Sequence, residues 1–140
     1  MNTNQRFAIS IHALTLLASS AKPLTSEAIA ESVNTNPVVI RRTMAGLREH
    51  RLVESRPGVK GGWRLLREPE QICLREIYRS LEHENMFAMH NHPNKHCRVG
   101  AHIRGALTEV FACAQAEMEN ALDQYTVADV LNNVLAKAEK

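Results

Sequence analysis

Residues Leu24–Leu66 read LTSEAIAESVNTNPVVIRRTMAGLREHRLVESRPGVKGGWRLL, and the order of signals in this stretch decides the fold. Thr25 can cap a helix, and Glu27 suits the positive end of its dipole. Leu24 before the cap and Ile29 in the second turn can form a hydrophobic staple, with Ile29 and Val33 facing inward. Asn34-Thr35-Asn36 is a short polar turn. Asn36-Pro37 then opens another helix, the asparagine as cap and the proline at the first helical position, where its missing N–H costs nothing. That helix, about Pro37 to His50, turns Ile40, Met44 and Leu47 inward and leaves Arg41, Arg42, Ala45 and Arg48 outside. Two short helices joined by a three-residue turn, the second with a basic outer face, make a helix-turn-helix. Arg51 stands where a glycine usually stops such a helix. Leu52–Arg56 reads as a strand, Pro57–Gly62 as a turn-rich loop holding Lys60, and Trp63–Leu66 as a returning strand. Each signal is weak alone; their succession is a winged helix.

Working outward, Phe7, Ile11, Leu14 and Ala18 share one face of a helix over about Gln5 to Ser19, which Lys22-Pro23 ends. Leu74, Ile77, Tyr78 and Leu81 predict a fourth helix after Glu68-Pro69-Glu70, and residues 83–96 read as a polar, histidine-rich loop. From about Val99 to Tyr125 a long helix carries Ile103, Leu107, Val110, Ala114, Met118, Ala121 and Tyr125 at alternating spacings of three and four, a seam able to pack on another helix. Gly100 and Gly105 weaken its start. Thr126-Val127-Ala128-Asp129 is a capping-box variant before a last amphipathic helix. The fold class predicted is mainly α with a small β-hairpin wing: a winged helix-turn-helix plus a long C-terminal dimerisation helix. The expected division is a DNA-binding domain over 1–81, a loop and sensor segment over 82–98, and dimerisation and C-terminal helices over 99–140.

The chain has 140 residues, enough for one ordinary domain, with 44% hydrophobic and 23% charged residues, a globular balance. Its net charge of +2 conceals an asymmetry. Residues 1–67 carry ten lysines and arginines against four acids, and residues 68–140 carry seven against eleven. Eight of those ten bases fall between Asn36 and Arg67, where they would attract a phosphate polymer. Three cysteines, Cys73, Cys97 and Cys113, are an odd set and no disulfide framework, which points to a cytoplasmic protein. No run approaches a membrane span, and no signal peptide is expected at the start. No nucleophile–base pair, phosphate-cradling loop or complete metal motif is visible, so an enzyme is not expected.

With the wing in place, the chain resembles the Rrf-two family of winged-helix repressors, which includes the iron–sulfur cluster regulator, the nitric-oxide-sensing repressor and the cysteine-metabolism repressor. The resemblance spans nearly the whole chain. It rests on Phe7 to Leu14, on Leu47 to Val53, on Gly58-Val59-Lys60-Gly61-Gly62-Trp63 in the wing, and on Leu74-Arg75-Glu76-Ile77-Tyr78. It implies transcriptional control by a dimer built on the long helix. The sequence departs from the family pattern in two places. Pro57 replaces the arginine that precedes the first wing glycine, with Arg56 one step earlier, and Trp63 replaces a tyrosine. Cluster-binding members carry three cysteines in the loop before the long helix and in its first turn; here only Cys97 matches, at the last of the three. The resemblance is therefore to the cluster-free branch, and no cofactor or metal is expected.

Arginine can donate two hydrogen bonds to guanine O6 and N7, so Arg41 and Arg42 near the start of the third helix are the candidate base readers. Asn36, Pro37 and Val38 stand at the end that enters the major groove, Val38 able to touch a thymine methyl. Thr25, Ser26 and nearby amides would hold a phosphate, and Arg56, Lys60 and Arg64 would track phosphates from the wing. Arg48 and Arg51 read as solvated. The expected partners are double-stranded DNA and a second copy of the chain, paired through Ile103, Leu107, Val110, Ala114, Met118 and Ala121, with no membrane. Cys97, between His96 and Arg98 near a helix start, is the candidate redox sensor. A winged-helix interaction module without DNA binding and a metal-responsive regulator using His90, His92, His96, Cys97 and His102 stay open as alternatives.

Overall fold

The computed structural model describes residues 3–81 and 86–140. The chain runs through α1 (Thr3–Ser19), α2 (Ser26–Val33), α3 (Pro37–Glu49), β1 (Val53–Arg56), β2 (Gly62–Leu65), a 3₁₀ turn (Pro69–Gln71), α4 (Leu74–Ser80), α5 (Arg98–Leu122) and α6 (Val127–Ala138). Part of the expected 83–96 loop, His83 included, lies outside the described residues.

Local chemistry accounts for most helix ends. Thr25 caps α2 by accepting from the Ala28 amide at 3.1 Å, and Asn36 caps α3 by accepting from Val38 N at 2.8 Å. At α6 the capping box is complete: Thr126 Oγ1 accepts from Asp129 N at 3.2 Å, and Asp129 Oδ2 accepts from Thr126 N at 2.8 Å. Asn34 ends α2 in the left-handed region at φ 64°. Arg51 takes the same conformation after α3 at φ 58°, filling the glycine's usual role with a side chain the position disfavours.

The core gathers one stripe from each element. Ala13, Leu14 and Leu17 of α1 meet Ile29 of α2, Ile40, Met44 and Leu47 of α3, and Ile77 of α4, with Leu52, Val53 and Trp63 closing the wing side. α6 folds back on α1, and its Val127 is fully buried in the same cluster. Phe7 meets the buried Tyr78 edge to face, with centroids 5.5 Å apart. The Tyr78 hydroxyl accepts from Gln115 Nε2 at 2.8 Å, tying α5 to the domain. Arg79 adds a 2.7 Å ion pair to Glu119, which holds the Glu119 carboxyl below its ordinary range. None of the 25 residues of α5 is buried, although Arg75 also faces Glu119 and Leu122 packs against the core.

β1 and β2 pair antiparallel, Val53 opposite Leu65, Glu54 opposite Arg64, Ser55 opposite Trp63 and Arg56 opposite Gly62. The period of two puts Val53, Ser55, Trp63 and Leu65 on one face, and Glu54, Arg56 and Arg64 on the other. The segment before α2 joins this hairpin. Leu24 N donates to Trp63 O at 3.0 Å and Trp63 N donates to Leu24 O at 2.8 Å. Gly62 makes that approach possible: it sits at φ 139°, and a Cβ there would lie 2.7 Å from the Leu24 carbonyl oxygen. The wing is thereby locked to the helix-turn-helix by backbone hydrogen bonds.

Candidate nucleic-acid interface

Trp63 organises the junction between the helix-turn-helix and the wing. The residue is 8% exposed, its Nε1 donates to Ser26 Oγ at 3.0 Å, and the Arg48 guanidinium lies 5.6 Å from the ring centroid. Around it opens a groove of about 430 Å³. The first turn of α2 (Thr25, Ser26), the outer face of α3 (Arg41, Ala45, Arg48) and the wing (Ser55, Arg56) line it. Arg41, Ala45 and Arg48 share it because positions i, i+4 and i+7 lie on one helical face.

Three elements therefore bring Thr25, Ser26, Arg41 and Arg56 of the expected set onto one groove. Arg42 does not join them. One residue on is a hundred degrees around a helix, and Arg42 lines a separate cavity of about 630 Å³ with Arg6, Glu49 and His50. Asn36 and Val38 are exposed at the N-terminal end of α3, with Val38 53% accessible. Lys60 and Arg64 stand with Lys22, Arg56 and Arg67 around a cavity of about 630 Å³ on the other side of the wing. Arg48 is a groove residue, not merely a solvated one, and its spacing from Arg41 carried that signal. Val59 at the wing tip is fully exposed.

The groove's electrostatics are more balanced than the cation count suggests. Arg41 Nη2 donates to Glu27 Oε1 at 2.8 Å, across from α3 to α2. In the wing, Glu54 accepts from Arg64, its cross-strand partner, and faces Arg56 Nε at 3.5 Å. Among the described residues, Arg42, Arg51 and Lys60 have no carboxylate partner. The Ser26 hydroxyl, nearly buried, accepts from Trp63, which leaves its proton free to donate outward.

At the other end of the molecule Cys97 occupies the cap position of α5 and is exposed. The amides of Gly100, then Val99, hold its thiol below the ordinary value; the flanking His96 and Arg98 side chains do not contribute. Gly100, which weakens the helix, has a packing reason: a Cβ there would meet the Asn94 carbonyl oxygen at 2.4 Å. Cys73 is the opposite case. Burial pushes its thiol up, and it donates to Asp123 Oδ1 at 3.3 Å between α4 and the end of α5. Cys113 is exposed on α5.

An arginine-bearing recognition helix, a capped helix before it and a hairpin locked beside both define a winged helix-turn-helix of the kind that binds DNA. The chain matches the Rrf2 family, described as an iron-dependent transcriptional regulator, over residues 3–133. It is 43% identical over 132 residues to YwnA of Bacillus subtilis (strain 168), named an HTH-type transcriptional regulator, covering 94% of this chain and 98% of that one. A crystal structure described as a DNA-binding protein superposes with a TM-score of 0.72 at 40% identity, covering 90% of this chain and 98% of the other. IscR of T. potens superposes with a TM-score of 0.70 at 26% identity, over 92% and 85%. The chain belongs to the Rrf2 family, and is a winged-helix DNA-binding regulator, not an enzyme.

The family description raises iron, and the described residues do not make a site for it. Among the described residues no group of three or more His, Cys, Asp or Glu side chains is placed to hold a metal. Cys73 is engaged at the α4–α5 junction, and Cys113 lies sixteen residues along α5 from Cys97, roughly 24 Å at the helical rise. One thiolate in the loop is too few for an iron–sulfur cluster. Among the described residues no helix is long and apolar enough to cross a membrane.

Proposed function

We propose that this protein is a dimeric, sequence-specific repressor acting in the cytoplasm without an iron–sulfur cluster, and that it reads a palindromic operator through the groove between α2, α3 and the wing. The observation that carries the reading is the convergence of Thr25, Ser26, Arg41 and Arg56 from three elements on one groove. In this docking Asn36, Pro37 and Val38 lead α3 into the major groove, and Arg41 donates to a guanine edge. Arg42, outside the protein groove, reaches the opposite wall of the DNA major groove from its own helical face. Thr25, Ser26 and the first amides of α2 hold one phosphate, and Arg56, Lys60 and Arg64 follow the next from the wing. Residues 1–81 would serve as the DNA-binding unit and 99–140 as the pairing unit. Two-fold pairing through Ile103, Leu107, Val110, Ala114, Met118 and Ala121 places half-sites roughly 34–36 Å apart.

Arg41→Ala should weaken the preferred duplex by about 1–3 kcal/mol and flatten base preference at one position. Lys60→Ala should weaken preferred and scrambled duplexes alike. Fluorescence anisotropy at fixed salt checks both, and equal losses on the two duplexes for Arg41→Ala would refute this docking.

Thiol oxidation at Cys97 is the inducing signal this reading favours, because its lowered pKa leaves more thiolate at neutral pH. Sign and site are testable together. Iodoacetamide should modify Cys97 before Cys73 or Cys113, with a pH midpoint below the ordinary cysteine value. Cys73, whose pKa is raised, should lag until higher pH. Peptide mass mapping reads the order; modification of Cys73 first would remove Cys97 as the sensor.

A further inference from the structure

Glu27 is an acid on a surface otherwise suited to phosphate. It lies in the first turn of α2, beside Thr25 and Ser26, where a carboxylate opposes the anion that the helix N-terminus attracts. Its 2.8 Å bond to Arg41 Nη2 joins side chains that are 63% and 53% exposed, a setting in which an ion pair adds little to stability. What the pair does supply is geometry. Arginine presents five donors in one plane, so Glu27 can engage Nη2 while another edge of the guanidinium stays free.

We propose that Glu27 is a positioning residue that determines DNA specificity. Its carboxylate fixes the plane and rotamer of Arg41 before DNA arrives, so ordering the long side chain is not charged against base readout. The same carboxylate penalises complexes in which Arg41 finds no base edge, because Glu27 then faces phosphate without gain. The inference rests on the docking proposed above. Glu54 supplies an internal contrast: it binds Arg64 and faces Arg56 on the wing but does not line the groove that Arg41 lines, and so damps phosphate attraction without choosing bases.

The test selects duplexes from a randomised library with the full-length protein and with Glu27→Gln, Glu27→Asp, Arg41→Ala, Glu54→Gln and the Glu27→Gln/Arg41→Ala double variant. Affinities for the selected and a scrambled duplex are then measured at one salt concentration. Glu27→Gln should bind the scrambled duplex more tightly than wild type, lower the selected-to-scrambled ratio about tenfold, and flatten the motif column that Arg41→Ala also flattens. Glu27→Asp should restore most of the ratio, and the double variant should be no less selective than Arg41→Ala alone. Glu54→Gln should tighten both duplexes by the same factor. Thermal melting confirms that each variant is folded. An unchanged ratio and motif in Glu27→Gln, with one column flattened in Arg41→Ala, would overturn this inference and leave the docking intact. A motif with every column unchanged in Arg41→Ala would overturn both, as would a wild-type protein that enriches no motif.

Discussion

Replacing Trp63 with alanine is expected to lower the unfolding free energy by about 3–5 kcal/mol and to abolish duplex binding with it. Trp63 is 8% exposed, packs into the core cluster, donates from its indole to Ser26 and carries Arg48 over its ring. Its backbone is also paired with Leu24. Removing the ring opens a cavity at the one point where α2, α3 and the wing meet, against a total stability of roughly 5–15 kcal/mol for a domain of this kind. Trp63→Phe separates the contributions: most of the volume stays, the Nε1 bond to Ser26 goes, and a loss of about 1 kcal/mol should follow. Urea unfolding measures both. A Trp63→Ala protein as stable as wild type would mean that the wing is held by its backbone bonds alone.

The second large effect concerns α5. Val110 is 58% exposed in the single chain, in the middle of the expected seam, so Val110→Glu disturbs little within one subunit. In a two-fold dimer it would bury two like charges against apolar side chains. Dimer dissociation should strengthen by roughly a thousandfold, about 4 kcal/mol, and operator affinity should collapse because both half-sites are then no longer held together. Sedimentation equilibrium at micromolar concentration reads the mass. A dimer unaffected by Val110→Glu would place the pairing surface elsewhere, and the exposed Val134 and Leu135 of α6 would be examined next.

Local rules carried the fold a long way. The caps Thr25, Asn36 and Thr126–Asp129 depend on residues two or three apart, and all three form as the residue types dictate. The left-handed Arg51 was legible for the same reason. The Leu24–Trp63 bridge was not: a backbone pairing between segments 39 residues apart leaves no periodic trace, and Leu24 read only as a staple. At the site, composition placed the cations on the correct elements but was blind to their partners. Glu27 read as a dipole-friendly helix residue, and its grip on Arg41 depends on how α2 crosses α3. Treating Arg41 and Arg42 as one surface ignored the hundred degrees between neighbours on a helix. Cys97 stands out by position, and the amides of Gly100 and Val99, not the adjacent charges, lower its pKa.

Whether the cationic surface of α3 and the wing meets the phosphates of duplex DNA can be read from the salt dependence of binding. With several cations from each of two subunits on phosphate, the logarithm of the association constant should fall against the logarithm of salt concentration with a slope of about −5 or steeper. Binding that is absent at low salt, or a slope near zero, would contradict the account.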